Sequence, residues 1–315
     1  MGRFIIRRLI QMLLVMFAVS VLTFLIFNVI PGGDPALRMA GRQPDPGQLH
    51  RIREDWGFNQ PIYVQYIKTM GKVFSGNLVS YTTQLDVVEE VTKRIPRTFA
   101  LAIGAAIMWM VFATALGLFT AVKAGKFSDR FLTILALIGI SMPVFWVGAL
   151  MNYYLGFKWG IFPNGGYVPF TDDPWQWFYH LLMPWTALSL LFIGVYSRIL
   201  RSNVLDTINE DYVRTARAKG LSERQVLVKH VLRNSLIPII TLWGLDFGAV
   251  LGGGAILTET VFDLQGVGQY AAESIGQLDV PPVLFIVIFG AFFIVLLNTI
   301  VDILYAALDP RVRLQ

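Results

Sequence analysis

The chain has 315 residues, of which 55% are hydrophobic and only 15% are charged, and its mean hydropathy is +0.58. An average soluble domain carries about 25% charged residues, so this composition excludes an ordinary soluble protein and indicates a membrane protein. The chain contains no cysteine. Disulfides, thiolate nucleophiles, iron–sulfur clusters and cysteine zinc sites are therefore excluded.

Stretches without charged residues predict where the chain crosses a membrane. Five such runs are 22 to 27 residues long, and a sixth of 25 residues is interrupted by Asp246 alone. About 20 apolar residues suffice for a helix to cross a hydrocarbon core of about 30 Å, and continuous runs favour helices over alternating β-barrel strands. We therefore expect an all-α polytopic protein. The six predicted spans are 9–33, 98–122, 131–157, 174–197, 234–258 and 280–301.

The first run follows Arg3, Arg7 and Arg8, as the apolar region of a secretory signal does. It is 25 residues long, against about 7 to 15 in a signal peptide, and no small-residue cleavage pattern follows it, so we expect a retained helix. With a cytoplasmic N-terminus, the inside segments carry 16 basic residues and the short outside segments carry one. This asymmetry predicts that both termini are cytoplasmic, because the long segment 31–97 is exempt from the rule.

The segment between the first two spans is predicted to form a small helical unit outside the membrane. A Pro/Gly-rich link at 43–47 precedes an amphipathic helix over Leu49–Phe58. A second helix is predicted from Ile62 to Phe74, and a third over Asp86–Ile95. The composition favours a solvated cap that packs on the bundle, and a docking platform or lid is the alternative.

The third span carries three residues that suit the wall of a translocation pathway, Ser141, Pro143 and Trp146. Proline removes a backbone donor, so Pro143 should bend the helix, and the freed backbone groups would be tolerated only inside protein or beside water.

The fifth span is the best candidate for the pathway wall. Gly244, Gly248 and Gly252 recur every four residues and would let another helix approach closely. Asp246 lies among them, and an ionisable residue within a span is costly enough to indicate function. A salt bridge or hydrogen bond inside the bundle is the equally weighted alternative for Asp246. In the sixth span, Asp302 lies near the cytoplasmic end and is expected to be structural.

The predicted outer loop after the fifth span contains four acidic residues and no basic one. Three of them, Glu259, Asp263 and Asp279, are candidate contacts for an extracytoplasmic receptor or for the ammonium group of a substrate. Simple solvation of these carboxylates is the alternative.

The segment 198–238, named here the coupling hairpin, is predicted to project into the cytoplasm. Apolar residues at helical spacing run from Val204 to Ala216 and stop before Gly220, which can take the left-handed conformation that ends a helix. Ser222 and Gln225 have the spacing of a capping box at the start of the next helix. The hairpin is anchored by spans at both ends and carries acidic residues among its basic ones. This favours protein docking over nucleic acid, with a surface helix covering the bundle as the alternative.

No catalytic or metal-binding constellation is found. His50, His180 and His230 are scattered, and HExxH, GxSxG and P-loop motifs are absent. We therefore predict a non-catalytic chain without a bound metal or cofactor.

The residues from Asp211 to Ser222, DYVRTARAKGLS, with LRNSLIP at 232–238, resemble the coupling loop of binding-protein-dependent ABC importer permeases of the dipeptide/oligopeptide/nickel branch. Strings along nearly the whole chain resemble that branch's first permease subunit: IPGGDPA, GFNQPIYVQY, SMPVFWVGAL, FPNGGY, GAVLGGGAILTETVF and DILYAALDPRVR. The branch shares two departures from the broader family, Arg214-Thr215-Ala216 for Glu-Ala-Ala and Arg233 for proline. A third departure is GNLVSY for GDLG-S, so the resemblance implies no role for that acidic residue in this chain.

The resemblance implies a type I ABC importer transmembrane fold in a bacterial or archaeal inner membrane. The implied divisions are 1–96, the first helix and outer segment; 97–307, a five-helix transmembrane domain with the coupling hairpin; and 308–315, a cytoplasmic tail. The implied partners are a homologous second permease subunit, two ATP-binding subunits that carry ATP and Mg, an extracytoplasmic solute-binding protein, a peptide substrate and membrane lipid, but no nucleic acid.

In this family a short helix of the hairpin, around Ala216–Ser222 here, sits in a groove of an ATP-hydrolysing subunit. Gly220 would permit the tight turn, and the small side chains of Ala216 and Ala218 would let the helix approach the groove closely. Arg217 and Lys219 could form ion pairs at the groove edge. The implied ATPase-coupling residues are Tyr212, Arg214, Ala216, Arg217, Ala218, Lys219, Gly220, Leu221, Ser222 and Glu223.

Three alternatives stay open for the function. Within the family, the cargo could be a nickel chelate or glutathione instead of a peptide, because the motifs describe coupling and not cargo. An ion-coupled secondary transporter would use Asp246 and Asp302 for protons, but it would need no coupling hairpin and often shows inverted repeats, which are not evident. A membrane enzyme ranks third, since no nucleophile–base or metal constellation is present.

Overall fold

The structure, a computed structural model, describes residues 2–29, 35–40 and 45–308. Within these residues the chain is nearly all helical, and the only strand-like pairing is an isolated bridge between Val79 and Asp86. The helices are α1 Gly2–Phe24, α2 Pro35–Ala40, α3 Pro46–Trp56, α4 Ile62–Ser75, α5 Val87–Val122, α6 Phe127–Ser141, α7 Val144–Met151, α8 Pro174–Thr207, α9 Asp211–Ala218, α10 Glu223–Gln225, α11 Arg233–Ala249, α12 Ile256–Val261, α13 Val267–Gly276 and α14 Val280–Leu308. The predicted link at 31–34, residues 43 and 44 of the link at 43–47, and the tail from 309 lie outside the described residues.

Five segments are long and apolar enough to cross a membrane: Ile6–Phe27, Val87–Val122, Pro174–Thr207, Glu223–Gly254 and Val280–Ile303. A sixth crossing is made if the bent pair Phe127–Ser141 and Val144–Lys158 counts as one span. The prediction of an all-α polytopic fold is confirmed.

The bend in the third predicted span lies at Pro143, as the sequence indicates. The two halves of this span meet at an angle of 99°. Met142 and Pro143 both have extended backbone, with ψ of 131° at each. A residue before proline is pushed out of the helical region, and proline has no N–H to continue the helix, so α6 ends there and α7 starts anew.

The second span differs from its prediction. The separate outer helix predicted over Asp86–Ile95 is wrong, because α5 runs without a break from Val87 to Val122, 36 residues, with Pro96 inside it. The charged residues that precede the uncharged run lie within α5 and pair with each other along it. Lys93, for example, pairs with Glu89, four residues earlier, at 2.8 Å. The predicted division between 96 and 97 thus falls within a continuous helix.

The described chain forms two compact units. The first contains Met1–Phe99, Gly248–Ile256 and Leu264–Gln315, and the second contains Ala100–Phe247 and Leu257–Asp263. In the first unit, α1 packs along α14, and Arg8 forms an ion pair of 3.0 Å with Asp302.

The outer segment of the first unit has a hydrophobic core of its own. Trp56 and Met70, from α3 and α4, lie in one buried cluster with Val91 of α5, Tyr270 of α13 and Leu284 of α14. The segment is therefore packed in the manner of a cap.

The second unit is held by close packing of α5, α6 and α8. A Cβ on Gly104 would lie 2.0 Å from Trp185, and one on Gly194 would lie 2.7 Å from the carbonyl oxygen of Ala136. These distances leave room for glycine only. Arg201 of α8 closes the same interface with a two-pronged ion pair to Asp129 of α6, at 2.9 and 2.8 Å.

Candidate functional site

The coupling hairpin presents a short helix between two candidate spans. The apolar spacing predicts one helix through Val204–Ala216, and the resemblance implies a coupling helix around Ala216–Ser222. Both extents are wrong. The structure ends α8 at Thr207 and forms α9 over Asp211–Ala218. Between them the Asn209 side chain donates to the carbonyl of Leu205 at 3.0 Å, a local bond that competes with helix continuation.

The turn after α9 is built as its residue types require. Gly220 has a φ of +81°, in the left-handed region, and no atom lies within 4 Å of the position a Cβ would occupy. Its N–H donates to the carbonyl of Arg217 at 2.9 Å. The predicted capping box is confirmed, since Ser222 and Gln225 exchange backbone-to-side-chain hydrogen bonds of 3.4 and 3.3 Å.

Contacts within the hairpin fix the direction of α9. The helix packs on the segment Val226–Leu232, and Val213 and Ala216 are buried, at 0% and 5% exposure. The Tyr212 hydroxyl accepts a hydrogen bond of 2.6 Å from the Asn234 side chain. Ala216 therefore packs inside the chain.

A charge pair closes the turn. The guanidinium of Arg217 contacts both carboxylate oxygens of Glu223, at 2.9 and 3.4 Å. Arg217 is thus engaged within the hairpin. Arg214 pairs only with exposed Asp211, at 3.4 Å, and Lys219 has no carboxylate partner among the described residues. The surface left open consists of Arg214, Ala218, Lys219, Gly220, Leu221 and Ser222.

The mid-span carboxylate is satisfied inside the second unit. Asp246 is half-buried and accepts a hydrogen bond of 2.5 Å from the hydroxyl of Tyr196, which is 1% exposed. This contact matches the alternative of an internal hydrogen bond. Tyr196 has no sequence signal, because it lies 50 residues away.

The predicted pathway residues separate into two groups. Gly244 and Gly248 are buried, and Gly248 and Gly252 face α14, where a Cβ on Gly252 would lie 2.4 Å from Ile294. Ser141, Pro143 and Trp146 are exposed around the bend between α6 and α7. Gly248 and Gly252 therefore form a packing surface within the first unit, whereas the bend presents free surface. Lining of a pathway by either group stays a prediction.

The three acidic outer residues have different surroundings. Glu259 is 0% and Asp279 is 3% exposed, whereas Asp263 is exposed with a φ of 48°. Asp279 accepts hydrogen bonds from the Ser80 hydroxyl at 2.5 Å and the Tyr81 N–H at 2.9 Å. Of the three, only Asp263 lies where an outside partner can reach it. Receptor contact stays a prediction.

Asp279 also affects a neighbouring tyrosine. Burial, with the Asp279 carboxylate adding to it, raises the pKa of Tyr270 to about 12. The guanidinium of Arg94 lies 4.6 Å from the centre of the same ring. Tyr270 is therefore neutral at physiological pH.

Comparison with known sequences places the chain in a family. The model described as "Binding-protein-dependent transport system inner membrane component" matches residues 113–314. The one described as "Binding-prot-dependent transport system membrane comp, N-term" matches residues 1–102. The chain therefore belongs to the binding-protein-dependent ABC importer permeases, as its resemblance implies, and is a multi-pass membrane transport protein.

Curated relatives match along their whole length. A putative peptide transport system permease protein of Brucella abortus is 36% identical over 99% of both chains. A probable peptide ABC transporter permease protein of Sinorhizobium fredii is 34% identical, covering 99% of this chain and 100% of its own. The glutathione transport system permease protein GsiC of Escherichia coli (strain K12) is 34% identical over 99% of both.

Proposed function

We propose that the chain is one of two permease subunits of an ATP-driven importer for di- and oligopeptides. The observation that carries this proposal is the open face of α9 and its turn, which stands between two candidate spans and is braced by its own contacts. A rigid, exposed element at this place can transmit a push from a partner to two spanning helices at once. Relatives named as peptide permeases over 99% of the chain support a peptide as cargo.

The partners follow from this role. Two ATP-binding subunits carry ATP and Mg, and the chain itself binds no cofactor and catalyses no reaction. A homologous permease subunit supplies the other half of the pathway, and an extracytoplasmic solute-binding protein delivers the substrate. Both termini and the coupling hairpin lie in the cytoplasm of a bacterial or archaeal cell, on the side favoured by 16 basic residues.

The electrostatics of the hairpin define what it can dock against. Lys219 is exposed at the end of α9, while Arg217 is held by Glu223. Lys219 is therefore the cation best placed to meet an acidic groove edge, and such a rim pair contributes about 0 to 1 kcal/mol. The small Ala218 and Gly220 beside it allow close backbone approach.

Glutathione is the second candidate cargo, because a relative of the same identity is a glutathione permease. Glutathione is itself a modified tripeptide, so the two cargoes share an amino group, amide bonds and carboxylates. A nickel chelate is the remaining alternative within the family. Competition by unlabelled dipeptide, glutathione or nickel against uptake of a labelled tripeptide separates the three.

Substitutions at Gly220 test the coupling role. Proline fixes φ near −65° and removes the N–H that donates to Arg217, whereas asparagine tolerates the left-handed conformation. In cells that express the complete transporter, we expect Gly220→Pro to reduce peptide uptake to about a tenth or less, because proline cannot adopt the left-handed conformation on which the turn depends. Gly220→Asn should keep most of the uptake.

Two further measurements complete the test. Both variants should reach the membrane in equal amounts, and ATP-binding subunits should co-purify with the wild type and Gly220→Asn but not with Gly220→Pro. Normal uptake by Gly220→Pro would refute the coupling role. Transport by the chain reconstituted alone would instead favour an ion-coupled transporter.

A further inference from the structure

An open cavity of about 570 Å³ lies between α6 and α8, within the second unit. Its polar lining comes from Thr133, Arg198, Arg201 and Ser202, and its apolar lining from Ile140, Val195 and Ile199. None of these residues belongs to the coupling hairpin's open face or to the predicted pathway. The cavity therefore needs a separate explanation.

The lining changes from polar to apolar along the two helices. The helices are antiparallel, because Asp129 pairs with Arg201 while Gly194 approaches Ala136 and Ile140. Thr133 thus lies level with the arginine end, and Ile140, two turns or about 10 Å deeper, lies level with the apolar end. The polar residues and Ile199 lie at the end level with the Asp129–Arg201 pair, and Ile140 and Val195 line the deeper end, nearer mid-span.

The polar end carries an uncompensated positive charge. Arg201 is neutralised by Asp129, whose side chain is 5% exposed. Arg198, one turn earlier on α8, is exposed and has no carboxylate partner among the described residues. A guanidinium in this position can bind a phosphate through two parallel hydrogen bonds. The Ser202 and Thr133 hydroxyls provide further donors in the same lining.

We propose that this cavity binds an anionic phospholipid, with the lipid phosphate at Arg198 and one acyl chain along Ile140, Val195 and Ile199. Both helices belong to candidate spans, so the polar end lies at a membrane boundary, where basic pockets between helices hold lipid head groups. A free phosphate would satisfy Arg198 but would leave the apolar half of the cavity unused. This assignment is independent of the transported substrate.

Native mass spectrometry of the full-length chain in mild detergent tests the assignment. The probes are dioleoylphosphatidylglycerol and, as the neutral lipid, dioleoylphosphatidylcholine, each added in mixed micelles. We expect Arg198→Gln to retain about five-fold less phosphatidylglycerol than the wild type, the effect of one basic residue at an anionic surface. Val195→Trp, which fills the apolar half and keeps every charge, should lower retention of the same lipid.

The matched control is Arg130→Gln, which removes an exposed cation of α6 that does not line the cavity. It should change phosphatidylglycerol retention by less than about two-fold, and Arg198→Lys should keep more lipid than Arg198→Gln because it keeps the charge. Equal losses in Arg130→Gln and Arg198→Gln would overturn the assignment. Unchanged binding in both Arg198→Gln and Val195→Trp would also overturn it, as would displacement of the lipid by millimolar inorganic phosphate.

Discussion

At the residue scale, Asp279 anchors the loop between α4 and α5. Its buried carboxylate accepts from the Ser80 hydroxyl and from the backbone N–H groups of Tyr81 and Thr82, the last at 3.4 Å. Charge-assisted hydrogen bonds of this kind are about twice as strong as neutral ones. Asp279 thus joins the start of α14 to a loop nearly 200 residues earlier in the chain.

We expect Asp279→Asn to destabilise the outer segment by about 2 kcal/mol. The asparagine side chain has no negative charge, and its NH₂ group would face the hydroxyl and N–H groups that donate to Asp279. Faster tryptic cleavage after Lys72 and Lys93, the two lysines that flank this loop, would reveal the loss in the purified protein. Asp263→Asn is the control, since that residue is exposed and asparagine accepts its positive φ. If Asp279→Asn resisted trypsin as the wild type does while uptake fell, the carboxylate would instead contact a receptor or substrate.

What the sequence predicts at this scale depends on how local the interaction is. The sequence predicts the turn at Gly220 and the capping box Ser222–Gln225, because these conformations depend on neighbours within three residues. The sequence marks Asp246 as unusual but does not indicate its partner Tyr196, because the contact depends on how two helices pack. The cavity at Arg198 has no sequence signal for the same reason.

At the element scale, the packing of α14 depends on glycine in both contacting segments. A Cβ on Gly290 would lie 2.6 Å from the carbonyl oxygen of Gly252, and a Cβ on Gly248 would lie 3.3 Å from Leu297. Backbone atoms cannot rotate away as side chains can. Gly290 of α14 is therefore the position against which the predicted glycine ridge packs.

Alanine substitutions along this contact should destabilise the chain in a definite order. We expect Gly290→Ala to cost the most, Gly252→Ala less and Gly248→Ala least, within the 1 to 3 kcal/mol typical of overpacking. Thermal unfolding in detergent, followed by circular dichroism, measures the order. The control is Gly276→Ala, at a helical position with no atom within 4 Å of the added Cβ.

A second substitution separates side-chain from backbone clashes. Ile294→Ala should recover part of the stability of Gly252→Ala, because the nearest obstructing atom, at 2.4 Å, belongs to Ile294. It should not rescue Gly290→Ala, whose clash is with backbone. If Gly290→Ala melted like Gly276→Ala, the close approach of these segments would be refuted.

Helix boundaries show where charge patterns stop being informative. The uncharged run begins at 98, yet α5 begins at Val87. Outside the hydrocarbon core, charged residues that pair along a helix, such as Glu89 and Lys93, do not end the helix. Conversely, apolar spacing suggested one helix through Val204–Ala216, but the chain breaks it at 208–210. Periodicity predicts which residues face inward, while the breaks depend on local side-chain bonds.

At the scale of the whole molecule, the number of crossings depends on the bent pair α6 and α7. One limb is α6, Phe127–Ser141, and the other is Val144–Lys158, in which the π-helical segment Asn152–Lys158 continues α7. Each limb has 15 residues and a length of about 22 Å, too short to cross about 30 Å alone. Together they either cross once or enter and return to the same side. Composition fits both geometries, since the charges lie only near the two outer ends.

Charge asymmetry decides which geometry we expect. With only five crossings, the coupling hairpin would lie on the opposite side from the segment 123–126, and the basic residues would be divided between the two sides. With six crossings they share one side, as the rule for basic loops requires. We therefore expect the bent pair to form a full crossing.

Single cysteines can test this directly, because the natural chain has none. Lys126→Cys, Thr171→Cys and Ala218→Cys replace exposed residues before the bent pair, after it and on α9. With a membrane-impermeant maleimide, six crossings predict labelling of Thr171→Cys in intact cells, and of the other two only after lysis. Equal behaviour of Lys126→Cys and Thr171→Cys, opposite to Ala218→Cys, would show that the pair re-enters, and the hairpin would then lie across the membrane from the 123–126 loop.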